Sequence, residues 1–184
     1  MSIRHAILGF LSWKPFTGYE LKKIFADSLS FHWSGNNNQI YGSLVELHKS
    51  GAVSIEVLQQ EKLPAKKVYT ITDSGREELR AWLLSEPELP MLRSLAHIQL
   101  AWAACLSDEE LDCLLASYER QLSDQAIMCR EMLARSSVAE GGVEPRRSER
   151  ERLIWRSIDE NRVAFYEGEL SWTRTLRTRL KELR

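Results

Sequence analysis

The stretch Asn36-Asn37-Asn38-Gln39-Ile40-Tyr41-Gly42-Ser43-Leu44-Val45-Glu46-Leu47-His48-Lys49-Ser50-Gly51 decides the fold. Ile40, Leu44 and Leu47 recur at i, i+4 and i+7, which puts three aliphatic side chains on one face of a helix. Asn36 suits the N-cap, with Gln39 three residues on, and Gly51 suits the left-handed position that ends a helix. The opposite face carries Asn37, Asn38, Tyr41, Val45 and Lys49. Such a helix packs on one side and offers amides, a phenol and a cation on the other.

Downstream, Val53, Ile55 and Val57 alternate with polar residues, the period of a half-buried strand. A polar stretch with Pro64 separates them from Lys67-Val68-Tyr69-Thr70-Ile71. Two such runs predict a β-hairpin. Thr72 is placed to cap a following helix, whose Leu79, Trp82 and Leu83 are expected in the core. Upstream, Ile3, Ile7, Leu8 and Leu11 share a helical face that ends at Lys14-Pro15-Phe16. Thr17-Gly18-Tyr19-Glu20 then has capping-box spacing and opens a helix with Leu21, Ile24, Phe25 and Leu29 inward and Lys22 and Lys23 outward. Residues 30–35 are read as a linker.

Helix, helix, helix, hairpin, helix is the order of a winged helix-turn-helix, whose third helix enters the DNA major groove while the hairpin follows the backbone. Asn and Gln pair bidentately with adenine edges. Asn37, Asn38, Gln39 and Tyr41, whose phenol can bond phosphate or pack on a base methyl, are the candidate groove readers, although Asn37 and Asn38 also suit a loop and helix cap. Lys22, Lys23, Lys62, Lys66 and Lys67 are the candidate phosphate contacts.

The second half differs. Past Glu86-Pro87-Glu88-Leu89-Pro90 almost everything has helical period, so residues 1–86 are expected to form the winged helix and residues 91–184 an all-helical domain. Leu95, Ile98, Trp102 and Cys105 align on one helical face. Ser107-Asp108-Glu109-Glu110 has capping-box spacing before Leu111, Leu115, Tyr118, Leu122, Cys129 and Met132. Residues 136–147, with Gly141-Gly142 and Pro145, read as a loop. Ser148 and Glu151 open a final helix on which Ile158, Phe165 and Trp172 recur every seven residues, continued by Leu176, Leu180 and Leu183. This helix would be roughly 55 Å long, more than a small domain covers by itself. Its stripe is the candidate homodimer interface. Trp102, Trp155 and Tyr166 are candidates for a small-molecule effector pocket, although aromatics at helical spacing usually serve as core or interface.

Charge and motif bound the function. With Lys+Arg 25 and Asp+Glu 26 the chain carries no global basic field, so DNA contact must come from a local patch. A winged helix that binds protein is the competing reading. No nucleotide-binding glycine motif, G-x-S-x-G or H-E-x-x-H occurs, and four scattered histidines name no catalytic base. The chain is read as a non-enzyme with no cofactor and no metal. Cys105, Cys113 and Cys129 lack metal-ligand spacing and read as small buried hydrophobes. Their odd number fits a reducing, cytoplasmic setting. No run approaches the roughly 20 apolar residues of a membrane span.

Ile7-Leu8-Gly9-Phe10-Leu11, Thr17-Gly18-Tyr19-Glu20-Leu21, Phe31-His32-Trp33, Gln39-Ile40-Tyr41-Gly42-Ser43-Leu44, Leu47-His48-Lys49-Ser50-Gly51 and Lys67-Val68-Tyr69-Thr70-Ile71-Thr72-Asp73-Ser74-Gly75 stand in the order of the PadR family of bacterial transcriptional regulators, which the chain resembles. The longer members, with an extended C-terminal helical domain, are the better match. The resemblance implies a homodimeric winged-helix repressor, less often an activator, on a palindromic operator that a small molecule can release. By position, Tyr41 corresponds to the recognition-helix tyrosine, Gln39 to the polar residue before it, and Lys67 and Tyr69 to the wing strand. The chain departs from the family pattern at Asn36, Asn37, Asn38 and Gly42, so no operator sequence carries over.

Overall fold

The computed structural model describes residues 3–27, 37–59, 65–89, 94–136 and 148–183. The chain divides into two compact units, Met1–Glu88 and Leu89–Arg184.

The first unit runs α1 (Ile3–Leu11), β1 (Phe16–Thr17), α2 (Gly18–Asp27), α3 (Asn37–Lys49), β2 (Val53–Leu58), β3 (Lys66–Ile71) and α4 (Asp73–Leu83). This is the winged helix-turn-helix order. The hairpin gains a third strand that the apolar pattern did not announce: β1 pairs antiparallel with β3, Phe16 opposite Tyr69 and Thr17 opposite Val68, giving the order β1-β3-β2. Two residues are too few to show alternation. Phe16 and Thr17 are nonetheless buried, which locks the start of α2 onto the wing.

One core serves the whole unit. Ile7, Leu8 and Leu11 of α1, Leu21 and Phe25 of α2, Ile40, Leu44 and Leu47 of α3, and Val53, Tyr69 and Ile71 of the sheet are buried together. At about 25 cal/mol per Å² of apolar area, each large aliphatic contributes on the order of 2 kcal/mol.

The element ends follow local chemistry. The Glu20 N–H donates to Thr17 Oγ1 at 3.2 Å, and the Thr17 N–H donates to Glu20 Oε2 at 2.8 Å, which completes a capping box. At the end of α3, Gly51 takes φ +77°. The Gly51 N–H reaches His48 O at 3.0 Å and the Ala52 N–H reaches Leu47 O at 2.9 Å, the two bonds of a Schellman turn. The Thr72 hydroxyl accepts from the Gly75 N–H at 3.2 Å to cap α4, and donates to Gly51 O at 2.7 Å. The Thr72 N–H meets Ala52 O at 3.1 Å. Gly75 is needed by close approach: a Cβ there would stand 2.1 Å from Ala52 O. Arg4 ties α1 to α4 and to the turn after α3, with Nη2 2.8 Å from Glu78 Oε2 and 2.7 Å from Ser50 Oγ.

Two expectations for α4 fail. Leu79 packs against the core, but Trp82 is 46% exposed and Leu83 66% exposed. Trp82 instead stacks on His5, ring centroids 4.7 Å apart and nearly parallel, outside the core rather than in it. Burial pushes the His5 pKa down, against the pull of Glu78.

The second unit holds α5 (Leu95–Ala101), a 3-10 turn (Ala103–Cys105), α6 (Asp108–Ser136) and α7 (Glu149–Glu182). Ser107 with Glu110 and Ser148 with Glu151 form the expected capping boxes. Leu115, Leu122, Ala126 and Cys129 form the buried face of α6, and Val163 and Thr173 that of α7. The two long helices run antiparallel, as their cross-pairs show. Arg177 grips Asp112 with Nε and Nη2, both at 2.6 Å, and Arg130 Nε donates to Glu167 at 2.8 Å.

The first helix of this unit departs from expectation. Leu95, Ile98, Trp102 and Cys105 do not share one continuous helix, because the backbone leaves α-geometry at Trp102 (φ −106°, ψ 9°) and tightens into the 3-10 turn that buries Ala103. The cysteines split as well: Cys129 is buried, its thiol pKa pushed up by that burial, whereas Cys105 and Cys113 are exposed and so are not the small core residues expected. Leu29, the 30–35 linker and most of the 136–147 loop lie outside the described residues.

Candidate nucleic-acid interface

α3 has the two faces its sequence demands. Ile40, Leu44 and Leu47 are at most 1% exposed, while Tyr41 and Val45 are 45% and 50% exposed and Asn38, Gln39 and Lys49 share the open side. Asn37 opens the helix, its side chain outside the described set, as are Asn36 and Lys62. Lys23 is exposed and Lys22 half-buried on α2; Lys66 and Lys67 are exposed at the start of β3. Among the described candidates the first unit therefore offers an amide-and-phenol helix face, with lysines on α2 and on the wing.

Tyr41 lies against α2. A Cβ on Gly18, the first residue of α2, would stand 2.6 Å from Tyr41 Cε1, so the ring lies against the bare backbone of Gly18. Tyr69, on the strand paired to Phe16, has its phenol pKa raised by burial and then by the nearby Tyr41. Tyr69 is 6% exposed and belongs to the core beneath the wing, not to its outer surface. Gly18 escaped the sequence reading because the capping box already accounted for its neighbours. A glycine in the first turn of a predicted helix was the available signal.

Electrostatics knit the same corner. Burial raises the Glu20 pKa, but the Thr17 N–H and hydroxyl, then Lys66 and Lys14, outweigh it and hold the carboxyl below its usual range. Lys14 also lies over the Phe16 ring, 5.0 Å from its centroid. Part of the wing's positive charge is thus spent on the protein itself, and Lys67, Lys22 and Lys23 complete the candidate lysines there.

In the second unit Ile158 (44%), Phe165 (52%), Trp172 (43%) and Leu183 (83%) are exposed, whereas Leu176 and Leu180 are half-buried. Trp172 meets His97 of α5 edge-on at 4.9 Å, and His97 Nε2 lies 3.1 Å from Glu169 Oε2, which also accepts from the Tyr118 hydroxyl at 3.2 Å. The effector-pocket candidates are dispersed. Trp102 is 79% exposed at the end of α5, while Trp155 and Tyr166 are half-buried on α7. Burial is the main cause of the raised Tyr166 pKa, with Cys129 beside it. An open concavity of about 630 Å³ lies along another face of α7, between Arg130, Leu170, Arg174 and Thr178, and holds none of the three. Among the described residues no cluster of His, Cys, Asp or Glu is arranged to hold a metal, and no helix is long and apolar enough to cross a membrane.

The family model of the transcriptional regulator PadR-like family matches residues 7–81, which span α1 to α4. The negative transcriptional regulator PadR of Bacillus subtilis (strain 168) is 32% identical over 127 residues, covering 66% of this chain and 70% of that protein. Its structure in complex with operator DNA superposes with a TM-score of 0.83 at 21% identity, over 97% of this chain and 98% of the other. The structure in complex with p-coumaric acid gives 0.79 at 21%, over 97% and 95%. The likeness of fold thus reaches through the helical unit, beyond the residues of the family model. The chain belongs to the PadR-like family of transcriptional regulators.

Proposed function

We propose that this regulator is a cytoplasmic homodimeric repressor that binds a palindromic operator, with residues 1–86 as the DNA-binding domain and residues 91–184 as the dimerisation domain. One observation carries the reading: α3 buries its aliphatic face completely and leaves Asn38, Gln39 and Tyr41 exposed, in a unit that also exposes Lys23 on α2 and Lys66 and Lys67 on the wing. Asn37, Asn38, Gln39 and Tyr41 read base edges in the major groove. Lys22, Lys23, Lys62, Lys66 and Lys67 fix the register on phosphates. One such helix reads few base pairs, so a twofold partner supplies the second half-site about one helical turn, ~34 Å, away. The exposed row Ile158, Phe165, Trp172 and Leu183, continued by the half-buried Leu176 and Leu180, meets that partner. Repression follows the relative named a negative regulator. Release by a small-molecule effector, with Trp102, Trp155 and Tyr166 as candidate contacts, follows the relative whose complex holds p-coumaric acid.

The test is fluorescence anisotropy of the full chain on duplex DNA from upstream of its own gene, beside an unrelated duplex, across a salt series. Selective binding that weakens steeply with salt, with a log-log slope near −0.9 per phosphate contacted, is expected. Binding of neither duplex by a chain that captures a protein partner with little salt dependence would replace this reading with a protein-binding winged helix.

A further inference from the structure

Gly18 has no conformational reason to be glycine. Its φ is not positive, Gly51 being the glycine that takes that form among the described residues. It is the first residue of α2, a position at which a helix does not require glycine. Space is what forbids a side chain: the nearest atoms to a Cβ would be Tyr41 Cε1 at 2.6 Å, then Cδ1 and Cζ at 3.4 Å, all on one aromatic ring. Gly9 and Gly42, by contrast, have nothing within 4 Å of such a Cβ.

We propose that Gly18 is a positioning residue for DNA recognition, a bare step on α2 that sets the angle at which the Tyr41 ring leaves α3. The inference rests on the reading of α3 as the base-reading helix. β1 holds the step in place, because Phe16 and Thr17 are clamped to β3 immediately before it. Tyr69 stands opposite Phe16 on β3 and its phenol feels the field of Tyr41, which couples the wing strand to the same corner. A methyl at position 18 meets the far end of a side chain that is 45% exposed, with solvent on its open side. The fold therefore accommodates Gly18→Ala by rotating the ring, and the effect of the substitution falls on recognition instead of stability.

The test combines three measurements on the full-length protein. Gly18→Ala is expected to keep a Tm at or above that of the wild type. It should move the ring resonances of Tyr41 in a 13C-tyrosine spectrum, which Gly9→Ala leaves unchanged, and weaken operator binding about tenfold. Tyr41→Ala should weaken binding at least as much, and the Gly18→Ala/Tyr41→Ala double variant should match Tyr41→Ala alone within about twofold, since without the ring the step has nothing to set. Unmoved Tyr41 resonances in Gly18→Ala, or additive losses in the double variant, overturn the proposal. If Tyr41→Ala itself leaves DNA binding intact while Gly18→Ala still moves the resonances, the steric step is upheld and the base-reading role of Tyr41 is what fails.

Discussion

The winged-helix unit and the helical unit treat their apolar side chains in opposite ways. In the first, fourteen of the described side chains, from three helices, a sheet and the turn at Ala52, close on one another as a single cluster. In the second, two long helices bury one narrow seam and leave Ile127, Met128, Ile158, Phe165 and Trp172 between 40% and 52% exposed. Helices and a sheet wrap a core from several sides, whereas a pair of antiparallel helices covers only the stripe between them. The first unit closes its core within itself, and the second leaves a stripe open, which we assign to a second copy.

That contrast can be broken. Gly75→Val should have the largest effect, about 3 kcal/mol of lost stability, because its side chain would drive into Ala52 O and the Ile71 side chain; denaturant unfolding read by tryptophan fluorescence measures it. Leu44→Ala should cost a similar 2 to 3 kcal/mol through a cavity in the closed core. Its midpoint should not depend on protein concentration. Phe165→Asp should behave in the opposite way, leaving the monomer folded but raising the dimer dissociation constant about a hundredfold in sedimentation equilibrium. A dimer untouched by that charge would erase the distinction between the units.

Smaller effects sharpen it. Arg177→Met removes the fork on Asp112 that crosses the α6–α7 seam; with both partners partly exposed, about 1 kcal/mol is expected, shrinking as salt screens the wild-type pair. The smallest effect is a pH dependence in the first unit. The bond from Arg4, aided by its charge and that of His5, holds the Glu78 carboxyl below its usual range. A depressed carboxylate stabilises the fold above its unfolded-state pKa, and that contribution disappears as pH falls through the folded-state value. Glu78→Gln should therefore be less stable than the wild type at neutral pH, and the two should converge in acid below the ordinary carboxylate range. A gap that persists there would mean the pair acts by shape alone.

Most of the architecture was legible because its signals are local. Thr17/Glu20, Thr72, Ser107/Glu110 and Ser148/Glu151 announce helix starts by chemistry confined to four residues, and Ile40, Leu44 and Leu47 announce an inward face by period alone. What escaped depends on residues far apart in the chain. β1 is too short to carry a pattern and exists because β3 offers it an edge. Trp82 has the spacing of a core residue, yet it stacks on His5, 77 positions away. Periodicity also ran α5 through Trp102, where the backbone tightens instead. At the candidate interface the residue types on α3 were readable, but the vacancy at Gly18 that the Tyr41 ring fills required coordinates.

The joint at Ala52 links the ends of several elements. Its N–H closes the Schellman turn of α3, its carbonyl receives Thr72 from the end of the wing, and Gly75 of α4 presses against it. The helix face and the foot of the wing are thereby assembled into one stiff piece while the chain folds. A partner that touches both surfaces meets them at a preset separation, so little conformational entropy remains to be lost between them at the moment of contact. Discrimination among partners at this surface then comes from their fit to a fixed gauge.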